Sequence, residues 1–135
     1  MAFDQTLTTQ AKFIALQALA TGTLKMALYT ANADLGAGTL VYTTTDEVVG
    51  TGYTAGGNTL TNVTVQQSGT TAFLDFDNVV WNPASFTARG ALIYNTSLGN
   101  LAVAVLDFGA DKTTTTTFTV QTPANTADAA LIRFA

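Results

Sequence analysis

Three short apolar runs separated by turn sequences dominate the chain between residues 71 and 108. The runs are FLDFDNVVW, FTARGALIYN and LAVAVLDF, and the segments that separate them are NPAS and TSLGN. Each run is too short for a helix that stands alone, and each is rich in β-branched or aromatic residues. The pattern predicts consecutive β-strands. LAVAVLDF is apolar on both faces, which predicts a central strand covered on each side.

Further strand signals lie on both sides of this region. Side chains alternate in character as they do in strands over residues 24–30, 39–45 and 59–66. The QSGT turn after the last of these segments indicates a hairpin. FTVQ and the terminal ALIRFA follow later in the chain. About eight short strands without alternating helices favour two packed antiparallel sheets. We expect an all-β fold, namely a jelly-roll-like antiparallel β-sandwich.

Alternation within FTARGALIYN predicts which of its side chains share a face. Phe86, Ala88 and Leu92 are expected on one face of this strand. Arg89 and Ile93 are expected on the other.

The first 23 residues are expected to form an arm and a short helix, ahead of the β-sandwich over residues 24–135, in a single domain. Thr9 is a candidate N-cap before QAKFIALQALA and Gly22 stands where a helix would end, so a helix is predicted over about residues 10–20. A helix this short must pack on something. The surface that it packs on is expected to be either a neighbouring subunit or an end of its own sandwich. The residues expected to contact a partner are Phe3, Leu7, Phe13, Ile14 and Leu16.

The segment FIALQALA also resembles the apolar part of a cleaved signal peptide. The residues before it contain Asp4 and a single lysine. A signal peptide has a positively charged start, so export is disfavoured.

Charged residues are scarce in this chain. Five cations and nine acids among 135 residues give a net charge of −4. The cations are scattered and form no basic stripe, so binding to nucleic acid or to an anionic membrane is not expected. Threonine alone contributes 27 residues, and a surface of hydroxyls and amides costs less to desolvate than one of Lys and Glu. The composition favours a protein that buries its surface against partners.

The chain contains no histidine and no cysteine. Without cysteine there are no disulfides, no thiolate catalysis and no cysteine metal sites. Without histidine, the commonest general base and transition-metal ligand is missing. A glycosidase needs two carboxylates about 5 to 10 Å apart, a spacing that some pair among nine acids meets by chance. We expect no enzymatic activity, no cofactor and no metal.

Two motifs offer alternatives. Asp75 and Asp77 share a strand face and, with Asp107 and Asp111, they could present oxygen ligands to Ca²⁺, although a solvated face or a pair with Arg89 is favoured. GTGYTAGG nearly matches a dinucleotide fingerprint. Its spacing is GxGxxxG, however, and strand-like sequence follows it, so an irregular, exposed loop is expected.

Trp81 precedes NPAS near a strand end, where it could stack on a sugar. An aromatic residue of the core or its rim is the default interpretation. A lectin-like site would combine Trp81 with Tyr53 and Asp111 at the ends of loops.

Parts of the chain resemble a group of small structural proteins encoded by tailed bacteriophages. The segments that carry the resemblance are GTGYTAGG, FTARGALIYN and VLDFGADK, and it extends over roughly residues 24–135. The group is similar to capsid decoration, or cement, proteins. The resemblance implies a non-enzymatic jelly-roll protein, made in the host cytoplasm, that binds the exterior of the assembled capsid in the virion.

The same resemblance implies the partners. A decoration protein bridges subunits of the major capsid protein and stabilises the shell, and it does so as a homotrimer or a homodimer. The alternative function is a head-fibre or tail-associated module that binds a host glycan or protein.

Overall fold

The computed structural model describes residues 3, 5–123, 126 and 128–135. One α-helix, α1, spans Thr9–Leu19. The strands of the described residues are β1 Leu24–Tyr29, β2 Asn58–Thr59, β3 Thr64–Ser68, β4 Thr71–Asp75, β5 Val79–Trp81, β6 Phe86–Asn95, β7 Leu101–Thr114, β8 Phe118–Val120 and β9 Ile132–Phe134. All their pairings are antiparallel. The described chain is therefore an all-β fold with one helix.

The four-stranded sheet β2-β1-β6-β7 is the largest. β1 pairs with β6 along its whole length, from Leu24 opposite Asn95 to Tyr29 opposite Gly90. Two smaller sheets, β3-β4-β9 and β5-β8, complete the β-structure. The predicted hairpin is present as β3 and β4, and the predicted C-terminal strand is present as β9, which pairs with β4.

Side chains of β1 alternate between two apolar clusters. The inner face supplies Leu24, Met26 and Leu28 to the main core, which also receives Leu74 and Trp81 from the smaller sheets. The outer face carries a second cluster, formed by Ala27, Tyr29, Leu92 and Tyr94 with the partly buried Leu35 and Tyr42. The four-stranded sheet is thus covered on both faces, as its nearly continuous apolar strands require.

The predicted helix is present and packs against β3 and β4. It begins at Thr9, because Thr8 is the N-cap and its hydroxyl accepts a hydrogen bond from the Ala11 N–H. Leu16 enters the main core. Within the described residues, no helix has the length and apolar character needed to cross a lipid bilayer.

Three strand predictions need correction. Residues 39–45 form no strand, and only Val41 makes an isolated bridge, to Leu101. The run 59–66 is divided into β2 and β3, because Asn62 has a φ of 52°, which an extended strand does not contain. FLDFDNVVW is divided into β4 and β5, which belong to different sheets.

The position of β7 also differs from the prediction. It was expected to be central, but it lies at the edge of the four-stranded sheet. Most of its residues are exposed or half-buried. Apolar residues on both faces of β7 therefore do not mean that it has a neighbouring strand along each edge.

A bulge changes the facing of β6 and β7. Between Ala88 and Gly90, two residue steps along β6 correspond to five along β7. Phe86 and Ala88 consequently join the main core together with Ile93. The predicted division of faces within FTARGALIYN is wrong for this reason, since strict alternation holds only along a regular strand.

Gly57 provides a test of how closely the preceding loop approaches β1. It has a φ of +77°, and a Cβ at this position would collide with the carbonyl oxygen of Met26. Gly57→Ala adds this collision to the backbone strain. We expect the free energy of unfolding to fall by about 3 kcal/mol or more, as measured by denaturant unfolding.

Gly69→Ala is the matched control. Gly69 has a φ of +61°, but no heavy atom lies within 4 Å of its Cβ position. This change should cost only about 1 kcal/mol. Equal losses in the two variants would show that contact with β1 does not restrict residue 57.

Candidate interaction surfaces

The arm, defined as residues 1–8, and α1 leave three large apolar side chains in solvent. Phe3 is 91% exposed, Ile14 is 55% exposed and Leu7 is 48% exposed. Ile14 points outward because Leu16, two positions along the helix, points into the core. We call Phe3, Leu7 and Ile14 the N-terminal apolar surface.

Two of the five residues expected to contact a partner belong instead to the protein's own packing. Leu16 is buried, and Phe13 is partly buried against the main core. A partner could not reach Leu16 without displacing α1, which corrects its assignment. Lys12, although charged, is buried too, and its Nζ donates to the Thr70 carbonyl oxygen at 2.8 Å.

A buried carboxylate lies in the loop of residues 44–57, which runs along the edge of β1, where Glu47 bridges to Tyr29 and the Val48 N–H donates to the Leu28 carbonyl oxygen. Glu47 is only 7% exposed. Its Oε1 accepts a hydrogen bond from the Tyr42 hydroxyl at 2.7 Å. Its Oε2 accepts from the Tyr53 hydroxyl and from the Gly56 N–H, the latter at 2.8 Å. Three donors thus compensate for removing the carboxylate from water.

All four tyrosines of the chain surround Glu47, which is its only glutamate. The Tyr29 hydroxyl donates to the Thr43 carbonyl oxygen at 2.6 Å. The Tyr94 hydroxyl donates to the carbonyl oxygen of Gly56 at 2.7 Å, and its ring stacks on Tyr42 with centroids 4.6 Å apart. We call this set of residues the Glu47 network.

Burial raises the pKa of each tyrosine above its usual value. The charge of Glu47 raises these pKa values further, through direct hydrogen bonds from Tyr42 and Tyr53 and through space for Tyr29 and Tyr94. The phenols therefore remain neutral donors at physiological pH. Neutral donors around a satisfied carboxylate suit a structural brace.

The glycine-rich loop is irregular, as expected, and Thr51, Gly52, Thr54 and Ala55 are exposed, but packing fixes the loop and its flank at several points. Val48 joins the main core and Gly56 is buried. Gly52 lies so close to the Pro83 carbonyl oxygen that a Cβ would not fit. Sequence reasoning missed Glu47. The sequence signal for its burial was that the single glutamate stands beside valine, a residue that is usually buried, and six residues before Tyr53.

The acids do not gather into a cation site. Arg89 pairs with Asp107 at 3.4 Å, so the expected pair with Asp75 or Asp77 is not the one formed. A hydrogen bond from the Gly109 N–H and the Arg89 guanidinium lower the pKa of Asp107. Among the residues that the structure describes, no three acids lie close enough together to hold a metal ion.

Trp81 is not available as a platform for a sugar. It is 2% exposed and packs in the core near Tyr53 and Phe118, with ring centroids 6.3 Å and 6.1 Å away. Asp111 is an exposed residue of β7. The three residues proposed for a lectin-like site therefore do not form an exposed aromatic surface.

Comparison with known proteins finds no match. No family model, no curated sequence and no solved structure is significantly similar to this chain. The surfaces described above are accordingly interpreted from their own chemistry.

Glu47→Gln tests whether the network braces the fold. The amide would replace one acceptor oxygen by a donor, which then faces a hydroxyl or an N–H that also donates. We expect a loss of about 2 to 4 kcal/mol in the free energy of unfolding, measured in denaturant. Asp46→Asn, at the exposed neighbouring acid, is the control and should change it by less than about 0.5 kcal/mol. A small effect in both variants would contradict the bracing role.

The raised tyrosine pKa values predict a loss of stability in alkali. Because these pKa values are higher in the folded than in the unfolded chain, the neutral phenols contribute stability that is complete below about pH 10 and is lost as the pH rises further. In a titration followed by phenolate absorbance, the native tyrosines should stay protonated at a pH where they ionise in denaturant. Native tyrosines that titrate near pH 10 would contradict the buried network.

Proposed function

We propose that this protein is a non-enzymatic assembly subunit, namely a capsid decoration (cement) protein of a tailed bacteriophage. It binds the exterior of the assembled capsid in the virion and bridges subunits of the major capsid protein. The observation that carries the proposal is the N-terminal apolar surface, with Phe3, Leu7 and Ile14 in solvent. Exposed apolar side chains favour contact with another protein, and these three lie within the first 14 residues of the chain.

The composition supports the same proposal. Only 14 of the 135 residues are charged, so docking desolvates few ions and leaves few buried charges unpaired. Threonine and other uncharged polar residues cover much of the surface and are less costly to bury. The resemblance of three segments to phage structural proteins points to the capsid as the partner.

Stabilisation of the shell follows from binding equilibria. A protein that binds the assembled, expanded lattice but not free capsid subunits shifts the equilibrium toward the lattice by its free energy of binding. Several linked copies strengthen this effect, because the second contact forms at a high effective concentration. We propose a homotrimer, with a homodimer as the alternative, built from jelly-roll-like subunits.

Capsid binding tests the proposal directly. The purified protein should co-sediment with expanded capsids of the phage that encodes it and raise the temperature at which they come apart. Deleting residues 1–7, while keeping the helix cap Thr8, should weaken this binding by about tenfold or more, because Phe3 and Leu7 no longer bury their side chains against a neighbouring subunit and the multivalent contact with the capsid is weakened.

Val49→Ser is the matched control for the deletion. Val49 is 95% exposed but lies on the loop of residues 44–57, so its replacement should leave capsid binding unchanged. Failure of the unaltered protein to bind capsids would contradict the decoration role. Normal binding after the deletion would contradict only the role assigned to the arm.

A further inference from the structure

A cleft of about 600 Å³ separates β7 from β8. Residues 105–108 and 112–114 form one wall, and residues 117–121 form the other. Phe108 and Phe118 contribute an apolar lining, with ring centroids 6.1 Å apart, and Leu131 adds to it. The cleft is thus an elongated, partly apolar space between two strands.

Both walls are strands with a free edge in the described part of the chain. β8 pairs with β5 on one side. β7 pairs with β6 on one side, and its other edge is covered near Leu101 and Ala102 by residues 40–42. Beyond Ala102 no strand neighbours this edge in the described residues. An open edge beside an apolar groove is the structure that accepts an added strand.

We propose that the cleft receives the arm of a second copy of this chain as an added strand. The inference rests on the homo-oligomer of the proposed function and names the contact that builds it. In an extended arm, Phe3 and Leu7 share a face, since they are four residues apart. Phe3 lies over Phe108 and Phe118, and the arm backbone pairs with the free edge of β7. The arm then acts on capsid binding by linking the copies that bind together.

The length and geometry of the arm suit this role. Eight extended residues reach ~26 Å, whereas residues 105–108 need only ~13 Å of strand. Thr8 has extended dihedrals, with φ −68° and ψ 152°, so the chain enters α1 from an extended conformation. The arm can therefore span to a neighbour and still leave four residues for pairing.

The free state of the arm favours a second copy over the arm's own subunit. Phe3 is 91% exposed and does not line its own cleft. The exposed Lys112 on the cleft wall offers a partner to Asp4 of the arm sequence, while Asp107 on the same wall is paired with Arg89. Exchange of arms between identical copies can close a symmetric ring of two or three subunits.

Cysteine cross-linking tests the contact, because the native chain contains no cysteine. Thr6→Cys protein is mixed with Val105→Cys protein, without capsids, and treated with a short bismaleimide, because Thr6 and Val105 lie on the faces opposite to Phe3 and Phe108. We expect a covalent dimer containing one copy of each variant. Val49→Cys replaces Val105→Cys in the control, since Val49 is exposed but outside the cleft, and should give little of this product.

Sedimentation equilibrium supplies a second measurement. The association constant of the double variant Phe3→Ser, Leu7→Ser should fall by about tenfold or more, because two large side chains lose their burial. The absence of the mixed dimer, an equal yield of cross-linked product in the Val49→Cys control, or unchanged association of the double variant would overturn the proposal. Because no capsid is used, these outcomes are independent of whether the protein binds capsids.

Discussion

A single buried carboxylate braces the segment that closes the edge of β1. Glu47 bridges to Tyr29 of β1 and accepts three hydrogen bonds, from the Tyr42 and Tyr53 hydroxyls and from the Gly56 N–H. Two of these donors are phenols that burial keeps neutral, so they compensate for removing the charge from water. Tyr29 and Tyr94 fix the surrounding backbone instead, by donating to the carbonyl oxygens of Thr43 and Gly56. The loop of residues 44–57 is consequently anchored at its buried residues Glu47, Val48 and Gly56, although many of its other residues are exposed and it contains almost no regular structure.

Two uncovered features lie at the edge of this sheet and at the N-terminal end. β7 presents a long free edge beside an apolar cleft, and the arm presents Phe3 and Leu7 without cover. An open edge and exposed apolar side chains are costs to an isolated subunit. They are useful to a subunit that assembles, and the low charge of the surface keeps the cost of burying them small. The proposed decoration role and arm exchange both follow from this combination.

Sequence patterns predicted the elements whose boundaries depend on local signals. FTARGALIYN corresponds to β6, and the helix differs from its prediction by one residue at each end, because turn residues and a capping hydroxyl mark these limits directly. Of the five residues expected to contact a partner, Phe3, Leu7 and Ile14 are exposed, whereas Leu16 is buried. An apolar helix with little polar surface does not reveal by its sequence which side will meet the core.

The sequence by itself determined the all-β class, the short helix, the terminal strand and the scarcity of charge, because alternation, capping and composition act over a few neighbouring residues. Only the tertiary structure decided that β7 lies at an edge, that a bulge turns Phe86 and Ala88 inward, and that the one glutamate meets four tyrosines. These features depend on pairing between segments that are distant in the chain. Such pairing is set by the total burial and hydrogen bonding of the whole molecule, which no local pattern encodes.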